Sequence, residues 1–402
     1  MKTVIILGDG MADQPVPELG GKTPLMAAKK PAMDWIAKNG RNGLFKAIPD
    51  DMPTGSAVAN LSVLGYDPHL CFQGRGVLEA ASLGIPLNDN DLVMRVNLIT
   101  IQNGCIQSHS SGHISSDEAK ILIEDLDHHF ADFKLYPGLS YRHILIMPDG
   151  HPGIVCSPPH DHLGKSAESL LVRADVPEAE PTADKLNQMI RESWKFLSEH
   201  PVNRERISGN KLPASSLWPW SSGRKPAMKT FQERFGVRGA AISAVDLIKG
   251  LAVYAGMDVI PVQGATGLYD TNYEGKADAA LDALDDHDFV FVHVEAADEA
   301  GHEQDTQLKI RCIEDLDQRL IRRILDGLKT KNMEAVVAVL PDHPTPVSHG
   351  AHTRDPVPVA IWNPGHSPDD VTRFDEKNAE SGSLGFMKGD EFIKNLFDAV
   401  TG

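Results

Sequence analysis

The sequence predicts an α/β protein in which helices flank a mostly parallel sheet and a smaller α+β domain is inserted into this core. Short apolar runs of strand length, at residues 4–7, 289–292 and 336–340, alternate with segments of helical periodicity. Such alternation is typical of a parallel sheet that is covered on both faces. Hydrophobic residues make up 41% of the chain, which is enough for extensive buried cores.

The N-terminal part is expected to begin with a strand at residues 4–7, followed by the loop Gly8-Asp9-Gly10. Helical spacing follows at residues 32–38 and again at residues 57–64. Ser56 would then lie at a helix N-terminus, where free backbone N–H groups favour an anion.

The middle of the chain has a different composition. A strand-like run at residues 92–101 is followed by loops rich in His, Ser, Pro and Gly. The segment 215–224 contains Trp, Ser and Pro and is not expected to form a long regular element. We therefore interpret residues 91–229 as the inserted α+β domain. Residues 1–90 and 230–402 would form the core.

Alternation of strands and helices returns in the C-terminal part, with helices expected around residues 244–254 and 276–284. Apolar residues recur at helical spacing from Leu308 to Leu328, which predicts one long amphipathic helix. Two further strands are expected to end at Leu340 and Trp362.

The overall composition argues against several classes of partner. Lys and Arg total 39 against 56 Asp and Glu, and the net charge of −17 disfavours nucleic acid and anionic membranes. No apolar run approaches the roughly 20 residues of a transmembrane helix, and the opening strand leaves no room for a signal peptide. The four cysteines are dispersed without paired spacing. A cytoplasmic protein with reduced thiols is the expectation.

Seven polar residues, most of them at the ends of apolar runs, are predicted to bind two metal ions. They are Asp9, Ser56, Asp298, His302, Asp342, His343 and His352. Because open α/β sheets bind ligands at the carboxyl ends of their strands, we expect these side chains to converge. Carboxylate and imidazole ligands without thiolate suit manganese, magnesium or zinc.

Two such ions can clamp the attacking and leaving oxygens of a phosphoryl transfer, and Ser56 is then the candidate nucleophile. Thr54 is a nearby hydroxyl and the less favoured choice. Each residue alone has an ordinary interpretation, since Gly8-Asp9-Gly10 could be a simple turn and Ser56 a helix N-cap. The hypothesis depends on the joint occurrence of seven such residues.

Five segments together carry a family resemblance. They are residues 8–10, 55–68, 293–302, 341–344 and 352–358. In this order they resemble the cofactor-independent phosphoglycerate mutases, and more narrowly the shorter, archaeal-type branch within the alkaline phosphatase superfamily. The resemblance extends over nearly the whole chain. It implies an alkaline-phosphatase-like core with an inserted domain that closes over the substrate.

The resemblance also implies roles for individual residues. One metal ion would be bound by Asp298, His302 and His352, and the other by Asp9, Ser56, Asp342 and His343. Ser56 would be phosphorylated and would return the phosphoryl group to the other hydroxyl of the bound glycerate. The implied activity is that of a glycolytic isomerase that interconverts 3-phosphoglycerate and 2-phosphoglycerate without a bisphosphoglycerate cofactor. The branch often has an acidic residue after the nucleophile, where this chain has Ala57.

The substrate contacts and the acceptor are less closely defined. Candidates for binding phosphate or carboxylate are His109, Arg142, His160, Arg224 and Lys249, for each of which a structural or solvated role is the alternative. The partner is expected to be a small phosphorylated metabolite, and the oligomeric state stays open. The alternative function is a phosphotransferase or phosphatase for another hydroxylated metabolite, such as a homoserine kinase-like enzyme. A non-catalytic metal-binding module is disfavoured because nucleophile and ligands occur together.

Overall fold

A computed structural model describes residues 1–401, and the chain forms two compact units. The core unit comprises Met1–Phe72 and Ala227–Gly402, and the inserted unit comprises Gln73–Pro226. The inserted unit thus begins before the expected residue 91. The reason is that the helix Arg75–Ser82 contacts strands of that unit.

The elements follow one another along the chain in three stretches. The first core segment contains β1 (Lys2–Gly8), α1 (Pro24–Ala27), α2 (Pro31–Asn39), β2 (Arg41–Lys46), α3 (Ser56–Val63) and α4 (Pro68–Cys71). The inserted unit contains α5 (Arg75–Ser82), β3 (Leu92–Gln102), β4 (Cys105–Ser108), α6 (Ser116–His129), β5 (Lys134–Tyr136), β6 (Arg142–Met147), β7 (Ile154–Val155), β8 (Arg173–Ala174), α7 (Glu180–Ser198), α8 (Pro201–Ser208) and β9 (Ser216–Gly223). The second core segment contains α9 (Phe231–Phe235), β10 (Gly239–Ile242), α10 (Asp246–Tyr254), β11 (Asp258–Val259), α11 (Tyr273–Asp286), β12 (Phe289–Val294), α12 (Ala296–His302), α13 (Thr306–Asp315), α14 (Arg322–Thr330), β13 (Ala335–Leu340), β14 (Val357–Trp362), α15 (Glu376–Ala379), β15 (Gly385–Lys388) and α16 (Glu391–Thr401).

The core sheet is mostly parallel, which confirms the predicted fold class. Within residues 1–401 it has eight strands in the order β11-β10-β12-β1-β13-β14-β2-β15. β1 lies between β12 and β13 and is parallel to both. β14 is the exception and runs antiparallel to both of its neighbours. The carboxyl ends of β1, β12 and β13 therefore meet at one edge of the sheet.

Both faces of this sheet are buried. Successive side chains of a strand point to opposite faces, and β12 and β13 are buried along their whole length. On one face, Val4 and Ile6 pack into a cluster with residues of α2 and α11. On the other face, Phe289 stacks on Phe231 with a centroid separation of 4.9 Å. The long apolar runs of these strands follow from this double burial.

The long helix expected between Leu308 and Leu328 is present, but it is interrupted. A π-helical segment, Leu316–Ile321, joins α13 to α14. Within it, the Asp317 carboxylate accepts hydrogen bonds from the backbone N–H groups of Ala32 (3.1 Å) and Met33 (2.7 Å), in the first turn of α2. Across residues 1–401, no helix is both long and apolar enough to cross a membrane.

The inserted unit contains a second, mainly antiparallel sheet. Its strand order is β4-β3-β6-β5, and β9 pairs antiparallel with β3. The expectation that residues 215–224 form no long regular element is wrong, because β9 covers Ser216–Gly223. Among the described strands β9 pairs with β3 alone, and proline is tolerated on such an outer strand. This explains how Pro219 is accommodated.

Candidate metal centre and active site

Acidic residues follow three neighbouring strands at the same edge of the core sheet. Asp9 directly follows β1, Asp342 comes just after β13, and Asp298 lies in α12, which follows β12. All three are buried, with exposed fractions of 0% for Asp9, 1% for Asp342 and 3% for Asp298. Such a concentration of buried carboxylates requires compensating positive charge.

Gly10 makes the close approach of these chains possible. Its φ of +60° lies in the left-handed region, and a Cβ at this position would come within 2.6 Å of the Cα of Asp298. Its backbone N–H donates a hydrogen bond to Asp342 Oδ1 at 3.2 Å. The Gly8-Asp9-Gly10 loop thus depends on glycine at its third position.

The first ligand cluster consists of Asp9, Asp342, His343 and Ser56. His343 Nε2 lies 3.5 Å from Asp9 Oδ1 and 3.5 Å from Asp342 Oδ2. Ser56, the first residue of α3, places its Oγ 3.2 Å from His343 Nε2 and 3.5 Å from Asp9 Oδ1. A carboxylate pair, an imidazole nitrogen and a hydroxyl therefore face a common point.

The second cluster consists of Asp298, His302 and His352. His302 Nε2 lies 3.1 Å from Asp298 Oδ2, and His352 Nε2 lies 3.4 Å from Asp298 Oδ1. The two Nε2 atoms are 2.9 Å apart. His302 and Asp298 lie one turn apart in α12 and share a helix face. The His343 and His352 rings are 4.1 Å apart, so the two clusters are adjacent.

The electrostatics of both clusters fit divalent cations. Burial, reinforced by the charges of Asp342 and Asp298, raises the pKa of Asp9 well above its usual range. Burial alone would raise the pKa of Asp298 too, but hydrogen bonds from His302 and His352 hold it well below its usual value. The hydrogen bond to Asp298 raises the pKa of His302 to about 9. Cations bound among these carboxylate and imidazole donors would relieve the repulsion.

Two further residues hold the first cluster and were missed by sequence reasoning. His293, fully buried on β12, lies with its Nε2 2.8 Å from Asp9 Oδ2. Asn60 donates from its side-chain amide to the Ser56 carbonyl (2.8 Å) and to Asp342 Oδ2 (2.8 Å). The position of Asn60 one turn after Ser56 was a usable signal. The interruption of an otherwise apolar strand by His293 was a second usable signal.

A third acidic group overlaps the second cluster. Glu295, Asp298 and Glu299 can each place a carboxylate oxygen within 4.8 Å of the others. Burial, together with the charge of Asp298, raises the pKa of Glu295 to about 8. These glutamates add to the negative potential around Asp298.

Three of the predicted substrate-binding residues share one region of the inserted unit. The His109 ring meets Tyr141 edge-on at 5.5 Å and lies 6.3 Å from the His160 ring. The His160 ring lies 5.0 Å from Trp220, and the Arg142 guanidinium lies over Tyr141 at 5.6 Å. Tyr141 thus contacts both His109 and Arg142, and His160 lies beside His109 and Trp220.

Arg95 adds a cation that the sequence interpretation overlooked. Its guanidinium lies 4.6 Å from the centre of the Trp220 ring, and its Nε is 3.1 Å from Glu79 Oε2. Burial lowers the pKa of Arg95, and the charges of Arg75 and Arg142 lower it further despite Glu79. Three arginines, Arg75, Arg95 and Arg142, thus lie close enough to interact, with Glu79 as a counter-charge.

The remaining two candidates are engaged elsewhere. Arg224 belongs to the inserted unit and donates from its Nη2 to the Gly150 carbonyl at 2.8 Å. Lys249 lies on α10 of the core unit and forms an ion pair with Asp246 at 3.1 Å. Each of these side chains thus has one polar contact to another protein group, and their role in substrate binding stays a prediction.

Comparisons of the sequence with known proteins point to one family. Residues 37–203 match the model of a family described as 2,3-bisphosphoglycerate-independent phosphoglycerate mutase. A relative of that name from Methanosarcina barkeri is 50% identical over 99% of this chain and 100% of its own length. A relative from Geobacter sulfurreducens, named as a probable enzyme of this kind, is 44% identical over 99% of this chain and 100% of its own.

Solved structures give the same result for the fold. A cofactor-independent phosphoglycerate mutase from Thermoplasma acidophilum is similar with a TM-score of 0.74 and 31% identity, over 100% of both chains. A protein from Pyrococcus horikoshii is similar with a TM-score of 0.84 and 32% identity, over 99% of this chain and 97% of that one. The similarity therefore includes the core unit and the inserted unit.

Proposed function

Because the chain belongs to the 2,3-bisphosphoglycerate-independent phosphoglycerate mutase family, we propose that it interconverts 3-phosphoglycerate and 2-phosphoglycerate through a phosphoserine at Ser56. It is an isomerase of the intramolecular phosphotransferase type, and the reaction needs no bisphosphoglycerate. The observation that carries the proposal is the position of Ser56 Oγ, 3.2 Å from His343 Nε2 at the edge of the ligand clusters. A cytoplasmic location is part of the proposal.

Ser56 is suited to be the nucleophile by its place in the fold. It is the first residue of α3 and is only partly buried. The N-terminus of a helix favours negative charge through its free N–H groups and its dipole. Asn60 holds the Ser56 carbonyl one turn later and fixes the direction of the first turn.

The ligand clusters support the binding of two divalent ions, manganese, magnesium or zinc. We assign Asp298, His302 and His352 to one ion and Asp9, Ser56, Asp342 and His343 to the other. When bound, such ions neutralise charge that develops on a transferring phosphoryl group and favour the ionised form of a serine hydroxyl. His293 and Asn60 then orient the ligands Asp9 and Asp342.

The reaction has two halves. In the first, Ser56 Oγ attacks the phosphorus of 3-phosphoglycerate, the bond from phosphorus to the C3 oxygen breaks, and Ser56 loses its proton as the C3 oxygen gains one. In the second, the C2 hydroxyl attacks the phosphorus of phosphoserine, the bond from phosphorus to Ser56 Oγ breaks, and the C2 oxygen gives up its proton as Ser56 Oγ gains one. The glycerate has to stay bound between the two halves, since its loss would convert the mutase into a phosphatase.

We further propose that the inserted unit contributes the groups that retain the glycerate. Arg142 carries an exposed positive charge, while His109 and His160 add hydrogen-bonding groups. Arg95 is buried and paired with Glu79, so it contributes through its charge rather than through direct contact. Guanidinium groups bind carboxylate and phosphate with two parallel hydrogen bonds, which suits the carboxylate of glycerate and the phosphate of phosphoglycerate. Arg224 and Lys249 are weaker candidates, because their hydrogen bonds are made to other protein groups.

The proposal is tested by a direct assay of the purified, manganese-loaded protein. With 3-phosphoglycerate as the only substrate, we expect 2-phosphoglycerate to accumulate, as followed by phosphorus NMR. A parallel reaction contains homoserine and ATP, and we expect no phosphohomoserine there. Formation of phosphohomoserine without 2-phosphoglycerate would overturn the mutase proposal in favour of a homoserine kinase-like function. Release of inorganic phosphate alone would indicate a phosphatase.

A further inference from the structure

A buried hydroxyl lies between the two ligand clusters. We propose that Thr345 is a positioning residue that joins the ligands of the two ions and holds His343 in the tautomer that can bind a cation. The inference rests on the two-metal part of the proposed function. It does not depend on the identity of the substrate.

The geometry connects Thr345 to both clusters at once. Thr345 is fully buried, and its hydroxyl donates a short hydrogen bond to Asp298 Oδ1. The same oxygen lies 3.3 Å from His343 Nδ1. Asp298 is assigned to one ion and His343 to the other. One side chain thus contacts a ligand of each proposed ion.

The hydroxyl has a single proton, and the direction of this proton selects which ring nitrogen of His343 carries hydrogen. An ionised carboxylate such as Asp298 can only accept, so the Thr345 proton has to point towards it. The Thr345 oxygen is then an acceptor for Nδ1–H of His343. A neutral imidazole with its proton on Nδ1 has a free lone pair on Nε2. That Nε2 faces Ser56 Oγ at 3.2 Å and Asp9 Oδ1 at 3.5 Å.

The backbone of Thr345 is held independently of its hydroxyl. Lys309, buried on α13, donates from Nζ to the carbonyls of Thr345 (2.8 Å) and Ala12 (3.0 Å), and to Asp13 Oδ2 (2.7 Å). The Thr345 N–H donates to the Ala12 carbonyl at 3.3 Å. Because these bonds fix the chain, removing the hydroxyl should leave the position of the loop unchanged.

The two clusters should respond differently to loss of the hydroxyl. His302 has its own tautomer fixed by a backbone contact, since its Nδ1 lies 2.8 Å from the Gly350 carbonyl. Without Thr345 Oγ1, His343 can instead place its proton on Nε2, where it would oppose a cation. We therefore expect the largest loss of affinity for the ion that is assigned to Asp9, Asp342 and His343.

The test measures metal binding without substrate. Metal-free wild type and variants are titrated with Mn²⁺, and free Mn²⁺ is followed by electron paramagnetic resonance. Thr345→Val removes the hydroxyl at nearly constant shape, Thr345→Ala removes it without the branched side chain, and Thr345→Ser retains it. Thr3→Val is the matched control, because Thr3 is also buried but lies near the opposite end of β1 from Asp9. Thermal unfolding of the metal-free proteins verifies that each variant folds.

The inference predicts that wild type binds two ions and that Thr345→Val and Thr345→Ala bind one of them about 10–100-fold more weakly. Thr345→Ser and Thr3→Val should stay close to wild type. Unchanged affinity in both Thr345→Val and Thr345→Ala would overturn the inference. Equal losses in all three Thr345 variants would overturn it too, because the hydroxyl would not be the cause. Absence of bound Mn²⁺ in wild type would instead refute the two-metal site itself.

Discussion

His293 Nε2 lies 2.8 Å from Asp9 Oδ2, and both side chains are completely shielded from solvent. Burial lowers the pKa of His293 to about 3, so the ring is neutral at physiological pH. The neutral ring can donate its Nε2 proton to the ionised form of Asp9, which is the form that binds a cation. The contact thus orients a proposed metal ligand from a strand that otherwise looks purely hydrophobic.

We predict that His293→Leu lowers metal affinity by about 10–100-fold, because Asp9 loses the donor that orients it. His287→Leu is the matched control. His287 is also buried and also bonds an aspartate, with Nε2 2.9 Å from Asp258 Oδ2, but it precedes β12 at the other end. The measurement is Mn²⁺ titration of both variants. An equal loss in the control would mean that the effect on metal binding is merely structural.

The second cluster gives a prediction about stoichiometry. His302→Ala should bind one metal ion fewer per chain, because His302 Nε2 is one of the three side chains assigned to that ion. His349→Ala, an exposed histidine close to His352 in sequence, should keep the wild-type count. Elemental analysis after removal of free metal measures both. A wild-type metal content in His302→Ala would exclude His302 from the site.

The ion pair between Lys309 and Asp13 is predicted to stabilise the core unit. Both side chains are buried and the Nζ to Oδ2 distance is 2.7 Å. Lys309→Met leaves Asp13 buried without its cation and should lower the free energy of unfolding by about 3–5 kcal/mol.

Lys394→Met is the control for this exchange. The Lys394–Asp390 pair has a similar distance of 2.8 Å, but its side chains are 62% and 42% exposed. Its loss should change the free energy of unfolding by less than about 1 kcal/mol. Urea denaturation of the metal-free proteins makes the comparison. Similar losses in both variants would show that burial of the Lys309 pair does not matter.

Because of Glu376, we predict that the free energy of unfolding depends on pH. Burial raises its pKa to about 7, although Thr23 and the Asp13 N–H donate hydrogen bonds to it. A folded-state pKa above the unfolded value gives a stabilising contribution that is complete below the unfolded pKa of about 4.5 and is lost as pH rises through about 7. The side chain of Glu376→Gln cannot ionise, so this variant does not lose stability in this way as the pH rises.

The free energies of unfolding of wild type and Glu376→Gln should therefore diverge between pH 5 and pH 8, with wild type losing more. Denaturation at both pH values, with metal removed, measures the difference between the two proteins. A difference that stays constant with pH would contradict the raised pKa.

The sequence was informative where polar residues interrupt apolar patterns. Asp9 and Asp342 follow strands directly, and parallel strands bring their carboxyl ends together, so convergence could be predicted without coordinates. Asp298 and His302 could be paired from their helical spacing alone. The fold class followed from the same alternation of strands and helices.

Other features depend on tertiary contacts that no local pattern encodes. Thr345 follows His343 in an irregular loop, and only the fold places its hydroxyl between Asp298 and His343. β9 contains Pro219, yet it forms a strand because it pairs with β3 alone among the described strands. The π-helical turn at Leu316–Ile321 was likewise hidden, since its apolar spacing differs little from that of an α-helix.

The proposed mechanism is tested most directly by peptide mass spectrometry of manganese-loaded protein, acid-quenched during turnover with 3-phosphoglycerate. We predict one phosphoryl group on the peptide that contains Ser56, in wild type and in Thr54→Val, the matched change at the neighbouring hydroxyl. Ser56→Ala should fold, carry no phosphoryl group and form no 2-phosphoglycerate. Production of 2-phosphoglycerate by Ser56→Ala, or turnover by wild type without any phosphorylated Ser56 peptide, would contradict the phosphoserine mechanism.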